Sequence, residues 1–100
     1  MISGGENIYP VEVEAVIQRH PDVHDVAVIG TPNDRLGEIV TAIIKLVPDR
    51  IPSEEEMTAF CEQNLPRYKQ PRRFIFDPVP RGSTGKIEKP RLRAKYCQPK

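Results

Sequence analysis

The sequence predicts a small α+β domain in which helices pack on a mixed sheet of about three main strands, two of them antiparallel. The 100 residues are 38% apolar and 29% charged, which is typical of a globular chain. Apolar spacing predicts the element order β, α, β, β, α, β, α, and eleven prolines separate these elements. A chain of this length predicts a single domain over residues 1–100.

The first predicted elements are a strand that ends at about Ile2, a loop over residues 3–7 and a helix. Proline suits a first helical position, so the helix is expected to start at Pro10, and Pro21 ends it. Residues at i, i+3 and i+4 spacing form its apolar face: Val13, Val16 and Ile17.

Two strands are predicted next, over residues 23–30 and 38–47, because both segments are rich in β-branched residues. A turn over residues 31–34 joins them, and such a short link favours an antiparallel pair. The near-continuous apolar content of the second strand predicts burial on both faces.

The second predicted helix begins after Ser53, which has capping-box spacing to Glu56, and Pro66 stops it. Its predicted buried stripe consists of Met57, Phe60, Cys61 and Leu65. A third strand over residues 72–79, an exposed loop over residues 80–86 and a short helix from Pro90 complete the chain.

Charge is unevenly distributed along the chain. Residues 1–66 carry four Lys/Arg against twelve Asp/Glu, a net of −8, whereas residues 67–100 carry eleven against two, a net of +9. The basic part therefore predicts an anionic partner: a phosphate, a nucleotide, a nucleic acid or the acidic face of another domain.

Several classes of protein and site are not expected. The longest apolar stretch, residues 39–47, is far shorter than the ~18 residues that span a bilayer. The N-terminus lacks the features of a secretory signal, so a cytoplasmic location is expected. No metal site is expected either: Cys61 and Cys97 are far apart, and Pro21 separates His20 from His24.

The loop over residues 80–86 is the segment most suggestive of chemistry. Lys86 follows two glycines and two hydroxyl residues, and a lysine on such a loop can carry a compact positive charge to a phosphate. A P-loop would need glycine at position 80 and Ser/Thr at position 87, where Pro80 and Ile87 stand. The alternative is a solvated lysine on a turn.

Four segments in register carry a more specific signal: SGGENIYPVEVE (3–14), VAVIG followed by a turn and GE (26–38), YKQPRR (68–73) and PRGSTGKIEKPRLR (80–93). Together they resemble the C-terminal domain of the adenylate-forming superfamily, which includes acyl-CoA synthetases, aryl-CoA ligases, luciferases and peptide-synthetase adenylation domains. The resemblance covers essentially residues 1–97.

The resemblance implies an acid:CoA ligase in which this chain is a mobile C-terminal domain. Such an enzyme converts a carboxylic acid and ATP into an acyl-adenylate and pyrophosphate, and CoA then gives the thioester and AMP. The large N-terminal domain, which holds ATP, the acid and Mg²⁺, is expected to lie outside this sequence. The isolated domain is therefore expected to be inactive.

The resemblance also implies roles for individual residues. Lys86 matches the catalytic lysine that reaches the α-phosphate in one orientation of the domain. In a second orientation, the loop that matches Gly4, Gly5, Glu6 and Asn7 lines the pantetheine tunnel of CoA. The alternative for this loop is a plain helix-entry turn.

The nucleotide end of CoA is expected at residues 68–73. The segment YKQPRR resembles the one that holds this end of CoA in acyl-CoA and aryl-CoA ligases, so Tyr68 is expected to stack on adenine and Arg72 to pair with a phosphate. Lys69 and Arg73 are further candidates. The alternative is a solvated basic face that docks on an acidic neighbouring domain.

Two other functions compete with the acid:CoA ligase. A peptide-synthetase adenylation domain is the nearest, although the arginine-containing, isoleucine-glutamate segment usual there is replaced by GENIYP. A basic nucleic-acid-binding module is the alternative from another class. It is disfavoured because six aromatic residues form no stacking platform and no nucleic-acid motif is present.

Overall fold

A computed structural model describes residues 2–3, 6–35 and 37–97 of the chain. These residues contain three α-helices, five strands and one 3₁₀ turn. In chain order they are β1 (Ile2–Ser3), β2 (Glu6–Asn7), α1 (Pro10–Ile17), β3 (Val23–Asn33), β4 (Gly37–Leu46), α2 (Glu54–Asn64), the 3₁₀ turn (Arg67–Lys69), β5 (Arg73–Phe76) and α3 (Lys89–Tyr96). The predicted α+β class is confirmed.

The main sheet has the strand order β3-β4-β5. Strands β3 and β4 are antiparallel, in a register that runs from Val23 opposite Leu46 to Asn33 opposite Gly37. Strand β5 pairs in parallel with the middle of β4. The mixed sheet and its antiparallel pair are therefore as predicted.

Apolar side chains cover both faces of this sheet. On one face, β3 and β4 pack with α1 and α2 around buried residues that include Val13, Ile17 and Met57. On the other face, Ala27, Ile29 and Ile43 pack with Val79 and with Leu92 of α3. Burial of β4 on both faces, predicted from its composition, is confirmed, and the sheet lies between two helical layers.

Helix α2 forms where its sequence signals place it. The Ser53 hydroxyl accepts a hydrogen bond from the backbone N–H of Glu56 at 3.1 Å, as a capping residue should. Met57, Cys61 and Leu65 are buried, and half-buried Phe60 meets the ring of His20 edge-on at 4.9 Å. No helix in the described part of the chain is long and apolar enough to cross a bilayer.

The predicted turn over residues 31–34 is wrong. Strand β3 continues to Asn33, and the Thr31 and Thr41 hydroxyls form a buried hydrogen bond of 2.7 Å across the two strands. Pro32 fits within β3 because β3 is an edge strand. On its open side there is no neighbouring strand to which a backbone N–H would donate. The chain turns at residues 34–35 instead, where Asn33 Oδ1 accepts the N–H of Arg35 at 3.0 Å.

The predicted loop over residues 3–7 also differs from the structure. Ile2 pairs with Asn7 and Ser3 with Glu6, so the two short strands β1 and β2 form an antiparallel ladder. Gly4 and Gly5 themselves lie outside the described residues.

The third strand is shorter than the predicted range of residues 72–79. It ends at Phe76, and the last backbone hydrogen bond to β4 runs from the N–H of Asp77 to the carbonyl of Ile44, because Pro78 then offers no backbone donor. The Asp77 carboxylate accepts hydrogen bonds from Lys95 and Tyr96 of α3. Helix α3 begins at Lys89, one residue before the predicted start.

Candidate functional site

Lys86 lies on a hydrogen-bonded hairpin rather than on a flexible loop. The N–H of Glu88 donates to the carbonyl of Pro80, and that of Gly82 donates to the carbonyl of Lys86, both at 2.9 Å. Gly85 has φ of +83°, a left-handed conformation that glycine adopts without a steric penalty. Residues 80–88, the Lys86 hairpin, therefore form a compact turn.

The side chain of Lys86 is exposed on this hairpin. It borders an open cleft of about 360 Å³ whose other lining residues include Ser83, Thr84 and Arg91. Among the described residues, no acidic side chain pairs with its ammonium group. The positive charge of Lys86 is thus directed to the surface, where an anion from outside the domain can meet it.

Arg81 ties the Lys86 hairpin to strand β3. Its Nε and Nη2 donate to the two carboxylate oxygens of Asp25 at 2.8 and 2.6 Å, and its Nη1 donates to the carbonyl of Gly85 at 2.5 Å. The hydrogen bonds from Arg81 are the main reason that the pKa of the Asp25 carboxyl lies below its ordinary value.

A second ion pair holds the chain just after the hairpin. Lys89 Nζ lies 3.0 Å from Glu14 Oε2, and both side chains are largely covered. The same carboxylate oxygen accepts the backbone N–H of Val28 at 2.8 Å. Glu14 thereby covers part of the open edge of β3 and holds the start of α3 beside it.

Two residues predicted at the nucleotide end of CoA have different surroundings. Tyr68 is exposed. Lys69 donates to Glu12 Oε2 of α1 at 2.9 Å, and this hydrogen bond raises the pKa of Lys69. Lys69 therefore already has an acidic partner within the domain, and its ammonium group also lies 5.6 Å from the centroid of the exposed Tyr68 ring.

Arg72 and Arg73 are both exposed at the start of β5. Arg72 lines a cleft of about 440 Å³ together with Asn33, Arg35 and Ile39. Sequence reasoning missed Arg35. Arg35 lies in the turn after β3, far from Arg72 in the sequence. The two residues lie side by side only because β5 pairs with β4.

The remaining predicted site residues are the segment Gly4 to Asn7. The two glycines lie outside the described residues, and the backbone of Glu6 and Asn7 forms β2. Their assignment to a pantetheine tunnel stays a prediction.

The described part of the chain contains no group of three or more His, Cys, Asp or Glu side chains that could hold a metal ion. Its basic C-terminal third is partly neutralised from within. Three of its cations pair with carboxylates from the acidic part of the chain: Lys69 with Glu12, Arg81 with Asp25, and Lys89 with Glu14. These three residues are thus paired within the domain, whereas Lys86, Arg72 and Arg73 lie on the surface, as do Arg67 and Arg93.

Comparison with solved structures shows the same fold in much longer proteins. A fatty acyl-CoA synthetase of Mycobacterium tuberculosis superposes with a TM-score of 0.89 at 46% identity, over 96% of this chain and 19% of that one. The ATP-bound MatB of Rhodopseudomonas palustris superposes with a TM-score of 0.90 at 36% identity, over 96% of this chain and 19% of its own.

Curated relatives give the same result. A long-chain-fatty-acid–CoA ligase of Mycobacterium tuberculosis is 46% identical over 96% of this chain and 19% of its own length. A 2-succinylbenzoate–CoA ligase of Geobacillus kaustophilus is 43% identical over 87% of this chain and 18% of its own length. The chain spans about a fifth of the length of these relatives.

The family described as the AMP-binding enzyme C-terminal domain matches residues 12–86. This match includes the acidic partners Glu12, Glu14 and Asp25 and ends on Lys86. The resemblance seen in the sequence is confirmed: the chain belongs to the family of AMP-binding enzyme C-terminal domains.

Proposed function

We propose that this chain is the mobile C-terminal domain of an ATP-dependent acid:CoA ligase. The enzyme would convert a carboxylic acid, ATP and CoA into acyl-CoA, AMP and pyrophosphate. Relatives with 43–46% identity are named as CoA ligases and are about five times longer than this chain. The proposal therefore includes a large N-terminal domain that holds ATP, Mg²⁺ and the acid. A cytoplasmic location stays a prediction.

The observation that carries this proposal is the exposed Lys86 on its anchored hairpin. In the first half-reaction, a carboxylate oxygen of the acid attacks the α-phosphorus of ATP and pyrophosphate leaves. Negative charge builds up on the phosphate oxygens during this step. A preorganised ammonium group from Lys86 would stabilise that charge, and loss of such a donor typically costs about 10²–10³ in rate.

The second half-reaction would use a different surface of the same domain. The CoA thiol attacks the acyl carbonyl of the adenylate, and AMP leaves. Arg72 and Arg35, which line one cleft, supply two guanidinium groups for a phosphate of CoA. The exposed ring of Tyr68 is available to stack on adenine. The segment Gly4 to Asn7 would line the path of the pantetheine arm.

The experiment that tests the proposal is Lys86→Ala in the full-length enzyme. We expect the rate of ATP–pyrophosphate exchange to fall by about 10²–10³, because the transition state loses its ammonium partner. Thioester formation from supplied acyl-adenylate should stay close to the wild-type rate. Lys45→Ala, which removes an exposed lysine of β4, is the matched control. Normal exchange in Lys86→Ala would overturn the proposed role.

A further inference from the structure

We propose that Arg81 is a positioning residue for Lys86 and acts through Asp25. The inference rests on the proposed function, since it concerns how Lys86 is held for adenylation. Arg81 itself is directed towards β3 and touches no part of the cleft beside Lys86, so it would influence the reaction only through the hairpin.

The connection from the central sheet to Lys86 is short. Strand β3 presents Asp25, Asp25 binds the guanidinium of Arg81, and the same guanidinium binds the carbonyl of Gly85. Gly85 is the residue directly before Lys86. The backbone at Lys86 is therefore only two side chains away from the central sheet, and each link is a hydrogen bond to a charged group, which is stronger than a neutral one.

The Asp25 carboxylate is itself fixed. Its Oδ1 also accepts the backbone N–H of Val26 at 3.0 Å, and the side chain is only 14% exposed. A carboxylate held in this way offers the guanidinium one geometry instead of several. The Arg81 side chain is itself 43% exposed, so the pair differs from a mobile surface ion pair through its fixed hydrogen-bond geometry and not through burial of both partners.

Arginine is specifically suited to position 81. Two nitrogens bind Asp25 while a third binds the Gly85 carbonyl, so the planar fork satisfies three acceptors in two directions. A lysine could keep the attraction to Asp25 with its single ammonium group, but it could not bridge to Gly85 with the same geometry. We therefore expect Arg81→Lys to recover only part of the function.

Lys89 supplies a second point of attachment beyond the hairpin, through its ion pair with Glu14. With both ends of residues 81–89 held to the edge of β3 or to α1, the hairpin moves with the domain as a rigid unit. This matters for a domain that is proposed to rotate, because Lys86 must arrive at the phosphate already oriented. A misplacement of about 1 Å can cost as much as ~10²-fold in rate.

The test compares both half-reactions in the full-length ligase. Arg81→Met keeps the apolar part of the side chain and removes the guanidinium. We expect it to lower the kcat of ATP–pyrophosphate exchange by about 10- to 100-fold, with thioester formation from supplied acyl-adenylate within about twofold of wild type. Asp25→Asn should act in the same direction. The double variant should lower the kcat of exchange no further than Arg81→Met alone, because both substitutions remove the same contact between Asp25 and Arg81.

The control is Arg50→Met, which removes the same type of side chain from an ion pair with Asp22 just before β3. It should leave both half-reactions unchanged. Equal loss of both half-reactions in Arg81→Met, with a lowered melting temperature, would mean a purely structural role and would overturn the inference. Normal exchange in Arg81→Met would overturn it as well.

Failure of this inference can be told apart from failure of the proposed function. If Lys86→Ala loses exchange while Arg81→Met keeps it, the function of Lys86 stands and only the positioning role falls. If Lys86→Ala keeps exchange, both fall together.

Discussion

At the scale of single residues, the buried thiol of Cys61 gives the clearest prediction. Cys61 lies in the core between α2 and the sheet, and burial raises its pKa to about 11. Because its pKa is raised, its thiolate fraction at pH 8 is roughly a hundredfold lower than that of an ordinary cysteine. Only the thiolate reacts with alkylating reagents, so native Cys61 should react slowly. Cys97 is half-buried and donates to the carbonyl of Gly30 at 3.2 Å.

We expect iodoacetamide at pH 8 to modify Cys97 well before Cys61 in the native chain, and to modify both at similar rates in urea. Peptide mass spectrometry over a time course measures this, with Cys97 as the internal control. A native Cys61 that is alkylated as fast as Cys97 would contradict the burial.

The folded-state pKa of Cys61 is raised, so the contribution of this thiol to stability is present below about pH 9 and is lost as the pH rises through 11.

At the scale of elements, the Lys86 hairpin depends on a glycine at position 85. Its φ of +83° is a strained conformation for a residue with a Cβ, although an added Cβ would meet nothing within 4 Å. We expect Gly85→Ala to lower the free energy of unfolding by about 1 kcal/mol through this backbone strain alone. Urea unfolding followed by circular dichroism measures it.

Gly82 of the same hairpin is the matched control. Its φ is not in the left-handed region, and an added Cβ would come no closer than 3.9 Å to any neighbour. Gly82→Ala should therefore be neutral or slightly stabilising, because alanine restricts the unfolded chain. Equal destabilisation by both substitutions would show that the loss does not come from the conformation of Gly85.

Elements with local signals could be predicted from the sequence, and elements that depend on their neighbours could not. Helix α2 has both its cap and its buried stripe within a few residues, at Ser53 and Met57, so its position was correct. The end of β3 was missed because Pro32 is compatible with a strand only at an edge, and the position of β3 in the sheet is a tertiary property.

At the scale of the whole molecule, the same distinction applies to the site. Lys86 could be proposed from the sequence because the segments that carry the family resemblance are each continuous, and its role stays a prediction. Its anchor could not, since Arg81 and Asp25 are 56 residues apart and no spacing rule connects them. Arg35 and Arg72 likewise come together only through the pairing of β5 with β4. The sequence therefore indicated Lys86, the residue proposed to act in adenylation, and the structure adds the hydrogen bonds of Arg81 that hold its hairpin.

The proposed division of the two half-reactions between two surfaces of one domain predicts opposite effects for Lys86 and Gly5 in the full-length enzyme. Gly5→Leu places a side chain where the family resemblance puts the pantetheine arm next to the backbone. We expect thioester formation from supplied acyl-adenylate to fall more than about tenfold, while ATP–pyrophosphate exchange stays within about twofold. Lys86→Ala, with the reverse pattern, is the control in the same assays. A Gly5→Leu enzyme that transfers CoA normally would remove the tunnel assignment. An enzyme impaired in both steps would show that this segment supports the fold instead, because a steric block confined to the thioester-forming orientation cannot slow adenylation.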